Sequence, residues 1–389
     1  MQFQKLGGIA LSITLIASSI SNAIACTTLL YTDANGKAYV GKSMEFSESE
    51  PDHVTYYPAG TYFASETPDG KTGVAFNTKF PILSTSAKKG IIPSNKYETL
   101  LDAMNDQGLT LSMQSLGGNV SPNVSQVPQG KIISAADFGS WALGNFTTVA
   151  QVKQAIANKD VEFWLPSSPI LGPSPFPVHY ALFDRSGAGI VVEWVGGQTE
   201  VYDNLVGVMT NNPPFPWHIQ NMSNFAYLTN IDKNSAKFNK LSVAAFDGGG
   251  NMAALPGLES SAGRFVKAAY YSTFAEKSAT PEQAIITLGH VMSNFDRPRN
   301  ISVDVAKDMP GGERNMKLGV GPKGVSEVTI FMILRDLSQN HYYIRTYNAL
   351  NYTKFDMSKL SGLKTVKSVS FKAIDANTGL DGNQLFLNQ

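Results

Sequence analysis

From residue 26 to residue 348 the chain is dominated by short apolar runs, most of them closed by a turn residue that stops them. "CTTLLYTDANGKAYVGKSMEF" reads as two strands joined at Asp33-Ala34-Asn35-Gly36, because Asn-Gly accepts the left-handed backbone of a tight hairpin. "HVTYYPAG" and "GVAFNTKF" read as further strands. "VHYALFDRSGAGIVVEWVGGQTEVYDN" reads as three, with turns at Arg185–Gly187 and Gly196-Gly197. "EVTIFMILRDLSQNHYYIRTYN" reads as a closing hairpin tipped by Ser338–Asn340.

Helical spacing interrupts this pattern in a few places. "KYETLLDAMNDQGLTLSMQSL" suggests a short helix, a stop at Gly108 and then a strand. "SAADFGSWALGNFTTVAQVKQAIAN" is helical in two pieces, and "GRFVKAAYYSTFAEK" and "PEQAIITLGHVMSNF" are amphipathic. Hairpins and helices mix without strict βαβ alternation, which predicts a layered α+β fold rather than a doubly wound sheet. The Pro-rich stretch 165–177 and the Gly-rich stretch 248–263 read as long loops within one domain.

Residues 1–25 have the pattern of an export signal. Lys5 precedes an apolar run from Ile9 to Ile20, and Ala23-Ile24-Ala25 is the small-x-small sequence that signal peptidase cuts after. The run is short and Ser-rich for a membrane span, which needs about 20 apolar residues. The expectation is a mature, exported protein, periplasmic or secreted, made of one domain over 26–389 and beginning at Cys26.

Cys26 is the only cysteine, so no intramolecular disulfide is available to an exported chain. A leftover thiol at a cleavage site is a candidate nucleophile. A thiol attacks as thiolate and has an ordinary pKa of about 8.5. An N-terminal cysteine carries its own base, an α-amino group titrating at about 7.7–8.0, which can take the thiol proton and return it to a leaving amine. The five histidines are scattered, and neither HExxH nor CxxC occurs, which argues against a zinc site or a Cys–His pair. Lys42 and Glu45 sit on the partner strand, where they serve either the thiol and amine or simply a solvated face. The chain is formally neutral, with no basic excess for nucleic acid.

These residues carry a resemblance. Cys26 with two strands and "GKSMEF", "MNDQGLTL" (104–111), residues 177–204, "GVMTNNPPFPWHIQNMSNF" (207–225), "LPGLESSAGRFVKAAYY" (255–271) and "RTYN" (345–348) together resemble the choloylglycine hydrolases, a family that includes penicillin V acylases and bile salt hydrolases. The resemblance implies an N-terminal nucleophile hydrolase with a four-layer αββα sandwich of two antiparallel sheets. It implies Cys26 as nucleophile, with Lys42 where relatives have arginine and Glu45 where they have the aspartate that contacts the terminal amine. It implies Asn211 as an oxyanion donor through its side-chain amide. The second donor is the backbone N–H at Ser115, with Gln114 the neighbouring alternative. Arg264 matches an arginine close to the nucleophile.

The implied reaction is hydrolysis of a linear amide through an acyl-thioester, with no metal or organic cofactor. Phe46, Trp164 and Phe215 are candidates to line an acyl pocket, core packing being their other use. The implied substrates are N-acyl compounds: penicillin V, acyl-homoserine lactones or conjugated bile salts. A homo-oligomer, dimer or tetramer, is expected. The competing reading is a cell-envelope lipoprotein binding module. Ala-Ile-Ala-Cys loosely resembles a lipobox, and lipid on Cys26 with an acylated amine would remove the base. Ala23 stands where a lipobox usually has leucine, and an apolar strand follows where a polar tether is usual.

Overall fold

A computed structural model describes residues 25–46, 52–87, 98–168, 172–304, 325–376 and 381–388. The expected export signal, residues 1–25, lies outside them apart from Ala25.

Two antiparallel sheets form the centre. The strands of the first are β1 (Ala25–Thr32), β2 (Ala38–Phe46), β10 (Val208–Met209), β11 (Val328–Asp336), β12 (His341–Thr346) and β13 (Thr353–Asp356). Their order across the sheet is β10-β1-β2-β11-β12-β13. The second sheet contains β3 (His53–Tyr57), β4 (Ile82–Ala87), β5 (Thr99–Asn105), β6 (Thr110–Gln114), β7 (His179–Phe183), β8 (Gly189–Val195), β9 (Gln198–Asp203) and β14 (Lys367–Ser370). Their order is β9-β8-β7-β6-β5-β4-β3-β14.

Helices α4 (Ser261–Phe274) and α5 (Pro281–Ser293) cover the outer face of the first sheet, packing on β1, β2 and β11. The helices α1 (Phe138–Asn145) and α2 (Val149–Ala157) cover the second, packing on β5, β6 and β8. The result is the expected four-layer αββα arrangement. One apolar cluster fills the space between the sheets and under α1, through Tyr56, Leu111, Phe138, Trp194, Phe331 and Ile333. A second lies between the first sheet and its helices, through Leu29, Tyr39, Phe265, Leu288 and Met292.

The hairpin of β1 and β2 turns where Asn35-Gly36 placed it, with Gly36 at φ 73° and Asp33 Oδ1 accepting from the N–H groups of Asn35 and Lys37. Residues 177–204 form three strands, and Gly187, Gly196 and Gly197 have positive φ at the turns. The helix expected in "KYETLLDAMN" is instead β5. Its Leu100, Leu101, Ala103 and Met104 mimic helical spacing because both faces of this central strand are buried, which erases the alternation of a half-exposed strand. Asn105 then closes the turn to β6: its Oδ1 accepts from the N–H groups of Gln107 and Leu109, and Gly108 takes φ 78°.

Candidate active site

Alternation along β1 sends Thr27 and Leu29 outward under α4, and Cys26 and Thr28 inward to the gap between the sheets. Thr28 meets Ser112 of the opposite sheet, Oγ to Oγ at 3.3 Å. Cys26 is completely buried. Beside it on β2, Met44 is its Cα partner, and Lys42 is the partner of Thr28. Lys42 is also buried, and its Nζ donates to the carbonyl of Met113 at 3.2 Å.

Asn211 ties three chain segments together. Its Oδ1 accepts from Cys26 N at 2.8 Å and from an Arg264 Nη at 2.8 Å, and its Nδ2 donates to the carbonyl of Ser115 at 3.0 Å. Two donors on Oδ1 fix which way round the amide lies, so Nδ2 is turned to Ser115, just past the end of β6. The backbone of Asn211 is pinned as well: its N–H donates to Ser261 Oγ at 2.9 Å, and its carbonyl accepts from His218 Nε2 at 2.9 Å. Burial pushes His218 down to about 4, so above that pH the ring is a neutral donor.

Arg264 is buried on α4 and reaches over the start of β1. It donates to the Cys26 carbonyl, to Thr27 Oγ1 at 2.8 Å, and through Nε to the Glu259 carbonyl at 3.0 Å. It is not the exposed helix arginine that its spacing alone would allow. Glu45 is buried too, and stands as Cα partner of Ala25, one step ahead of Cys26. Its Oε1 accepts from Thr329 Oγ1 at 3.3 Å, while Asn211 is the group that holds Cys26 N. Glu45 sits in the field of Arg264, which counters the rise in its pKa caused by burial.

The electrostatics at the sulfur are opposed. Burial pushes the Cys26 thiol up; Lys42 pulls it down most strongly, Glu45 raises it, and Arg264 lowers it. Burial outweighs the rest, so the thiol stands above its ordinary value, and the lysine and arginine limit the rise.

The structure brings Cys26, Lys42, Glu45, Asn211, Arg264 and Ser115 into one neighbourhood. The three aromatic candidates separate. Phe46 ends β2 and packs partly buried against the cluster that contains Cys26; residues 47–51, which follow it, lie outside the described residues. Trp164 lines a different groove with Pro68, Val124 and Val127, and its Nε1 donates to the Glu66 carbonyl at 2.7 Å. Phe215 corrects the expectation of a pocket residue. It opens α3 (Phe215–Met222), buried against Tyr202 and Phe265, and its N–H donates to Glu193. The Pro-rich segment around it belongs to the helix layer, so its ring is spent on packing.

Sequence reading did not weigh the side chain of Gln114. It lies two residues beyond Ser112 on the same face of β6, so it faces the inter-sheet gap. It is fully buried, and neither Oε1 nor Nε2 has a hydrogen-bond partner. An unmet buried amide costs about 1–3 kcal/mol. Gln114→Leu is therefore expected to raise the denaturant midpoint of the free protein; a lower midpoint contradicts this. The only sequence signal was a third polar residue, after Thr110 and Ser112, on the inward face of β6.

A cysteine-bearing strand inside an αββα sandwich is the architecture of the N-terminal nucleophile hydrolases. Residues 26–370 match the family model of linear amide C–N hydrolases, choloylglycine hydrolase family. The chain belongs to that family. It is 25% identical over 335 residues to a bile salt hydrolase/transferase from Clostridium perfringens, covering 86% of this chain and 93% of the relative. It is 23% identical over 266 residues to a penicillin V acylase from Pectobacterium atrosepticum, covering 67% of this chain and 63% of that one. The crystal structure of an arginine-to-leucine variant of conjugated bile acid hydrolase from Clostridium perfringens superposes with TM-score 0.72 at 24% identity, over 89% of this chain and 97% of that chain.

Proposed function

We propose that this chain is an exported cysteine amidohydrolase whose nucleophile is the first residue of the mature protein. The observation that carries the reading is that Asn211 and Arg264 bond the main chain of Cys26, Lys42 pulls its thiol down, and Asn211 ties Ser115 to the same place, at the residue where the family match begins. Membership of a hydrolase family favours this over a lipid-anchored binding module. Among the described residues no helix is long and apolar enough to cross a membrane.

The geometry supports the following mechanism. Removal of residues 1–25 turns the Cys26 amide N–H into an amine beside Asn211 Oδ1. The amine takes the thiol proton, and Sγ bonds to the carbonyl carbon of a linear amide. Asn211 Nδ2 and the Ser115 N–H stabilise the oxyanion. The amine then protonates the leaving nitrogen as the C–N bond breaks, leaving an acyl-thioester. The same amine deprotonates a water molecule, which attacks the thioester; acid is released and the thiol is restored. Nothing in these steps calls for a metal or an organic cofactor.

The substrates are small N-acyl amides: penicillin V, acyl-homoserine lactones or glycine- and taurine-conjugated bile salts. Incubating the mature protein with each compound and measuring the released amine tests this. Turnover of at least one class supports the reading, and none with any linear N-acyl amide overturns it.

A homo-oligomer completes the proposal. The hairpin of residues 235–238 and 241–244 exposes Phe238 and Leu241, and a lone two-stranded ribbon is marginal in water unless something covers it. Replacing Phe238 and Leu241 with serine is expected to lower the mass seen by light scattering to that of one chain; an unchanged oligomer contradicts this role for the hairpin.

A further inference from the structure

Lys42, the cation on the thiol side of β2, does not stand alone. Across the gap, Asp102 of β5 and Arg335 of β11 form an ion pair, Nη2 to Oδ1 at 2.5 Å, with both side chains completely inaccessible to solvent. Ser112 Oγ donates to Asp102 Oδ2 at 2.9 Å and accepts from Arg335 at 3.1 Å. The other guanidinium nitrogen, Nη1, donates to the Ala103 carbonyl at 3.1 Å, so an arginine of the first sheet is anchored in the backbone of the second. Ser112 also touches Thr28, the Cα partner of Lys42, and Lys42 itself donates to the carbonyl of Met113, the residue after Ser112. Two cations and one carboxylate are thus gathered on a few neighbouring residues in the interior, and one positive charge is in surplus. Among the remaining charged groups near Cys26, Glu45 and Arg264 are set against each other. On the opposite sheet, Glu193 is held by His179 Nδ1 at 2.9 Å and by the Phe215 N–H.

We propose that the Arg335–Asp102 pair sets the charge around Lys42, and through Lys42 the fraction of Cys26 that stands as thiolate. This rests on the reading of Cys26 as nucleophile, and makes Asp102 and Arg335 positioning residues that never meet substrate. A buried ion pair is weak evidence for stability, since its desolvation offsets its attraction. Its effect on a neighbouring charge is not offset in that way. Asp102 cancels one of the two cations: without Arg335 it would cancel Lys42 instead, and with neither partner Lys42 would act alone. Removing the carboxylate leaves two uncompensated positive charges in this cluster, one of them Lys42 beside the thiol, and favours losing its proton. Removing the guanidinium leaves Lys42 neutralised and favours keeping it.

The test is the pH dependence of Cys26 alkylation by iodoacetamide, followed by intact mass on the mature protein and needing no substrate. Asp102→Asn, which keeps the shape and a contact to Ser112, is expected to lower the midpoint. Arg335→Met is expected to raise it. Each shift should be about one pH unit, the effect of a unit charge about 10 Å away at an effective dielectric of about 20. Ser112→Ala, which removes a neutral link, should leave the midpoint in place. A pair that serves only as a staple between sheets predicts no shift, or shifts of the same sign, and either result overturns the proposal. If Arg335→Met does not fold, Asp102→Asn decides alone: a lower midpoint sustains the proposal, and an unchanged or higher one ends it. Failure of the nucleophile reading would show separately, as amide hydrolysis that survives Cys26→Ala.

Discussion

Alanine in place of Cys26 is expected to lower linear-amide hydrolysis by about 10⁴-fold or more, because the bond-forming atom is gone and only binding and oxyanion contacts remain. The fold should survive. Cys26 enters the core as a small apolar residue, and its anchoring is done by the main chain: the N–H to Asn211 and the carbonyl to Arg264. Alanine keeps both. The loss is one buried sulfur, a cavity smaller than those left by Leu→Ala changes, so the melting transition should move by only a few degrees. Activity assays beside thermal melting check the two halves. Wild-type turnover in the variant, or an unfolded variant, would contradict the assignment in different ways.

Asn211 gives the next largest effect. Asn211→Ala should cost about 10²–10³ in kcat, the usual worth of one oxyanion donor. It should also destabilise the protein, because Cys26 N and Arg264 lose a shared acceptor in a buried place. Asn211→Asp separates these roles. An aspartate keeps an oxygen for both donors but has no N–H to give and sets its second oxygen against the Ser115 carbonyl, so stability should return only in part while the rate stays low. Its added negative charge should also raise the thiol's pKa, moving the acid limb of the kcat/KM profile to higher pH. Kinetics across pH and denaturant unfolding of both variants decide this. Full activity in Asn211→Asp would show that the side chain only braces the chain.

Local chemistry made much of the fold legible. Asn35-Gly36, Gly196-Gly197 and the Ser338–Asn340 tip marked turns because few other residues accept the backbone they need, and the amphipathic stretches of α4 and α5 marked helices. The strand at 99–105 was misread because double-sided burial leaves no alternation to detect. At the site, Cys26 stood out by position, and Lys42 and Glu45 came with it on the same hairpin. Asn211 and Arg264 needed the family resemblance, since as bare sequence they fit a turn and a helix surface. The Asp102–Arg335 pair had no local signal. Arg335 bonds Ser112, 223 positions away, and only the closure of one sheet over the other brings them together. Phe215 shows the reverse limit: an aromatic in a Pro-rich segment has the same composition whether it lines a pocket or fills a layer.

The central claim is that sulfur and proton acceptor belong to one leading residue. Quenching the mature protein in acid during turnover, then sequencing its first peptide by mass spectrometry, tests it most directly. The account predicts that this peptide begins at Cys26 with an unblocked α-amine, and carries the acyl group on sulfur as a hydroxylamine-sensitive thioester. An active protein whose acyl group sits elsewhere, or whose Cys26 is still joined to Ala25, would contradict it.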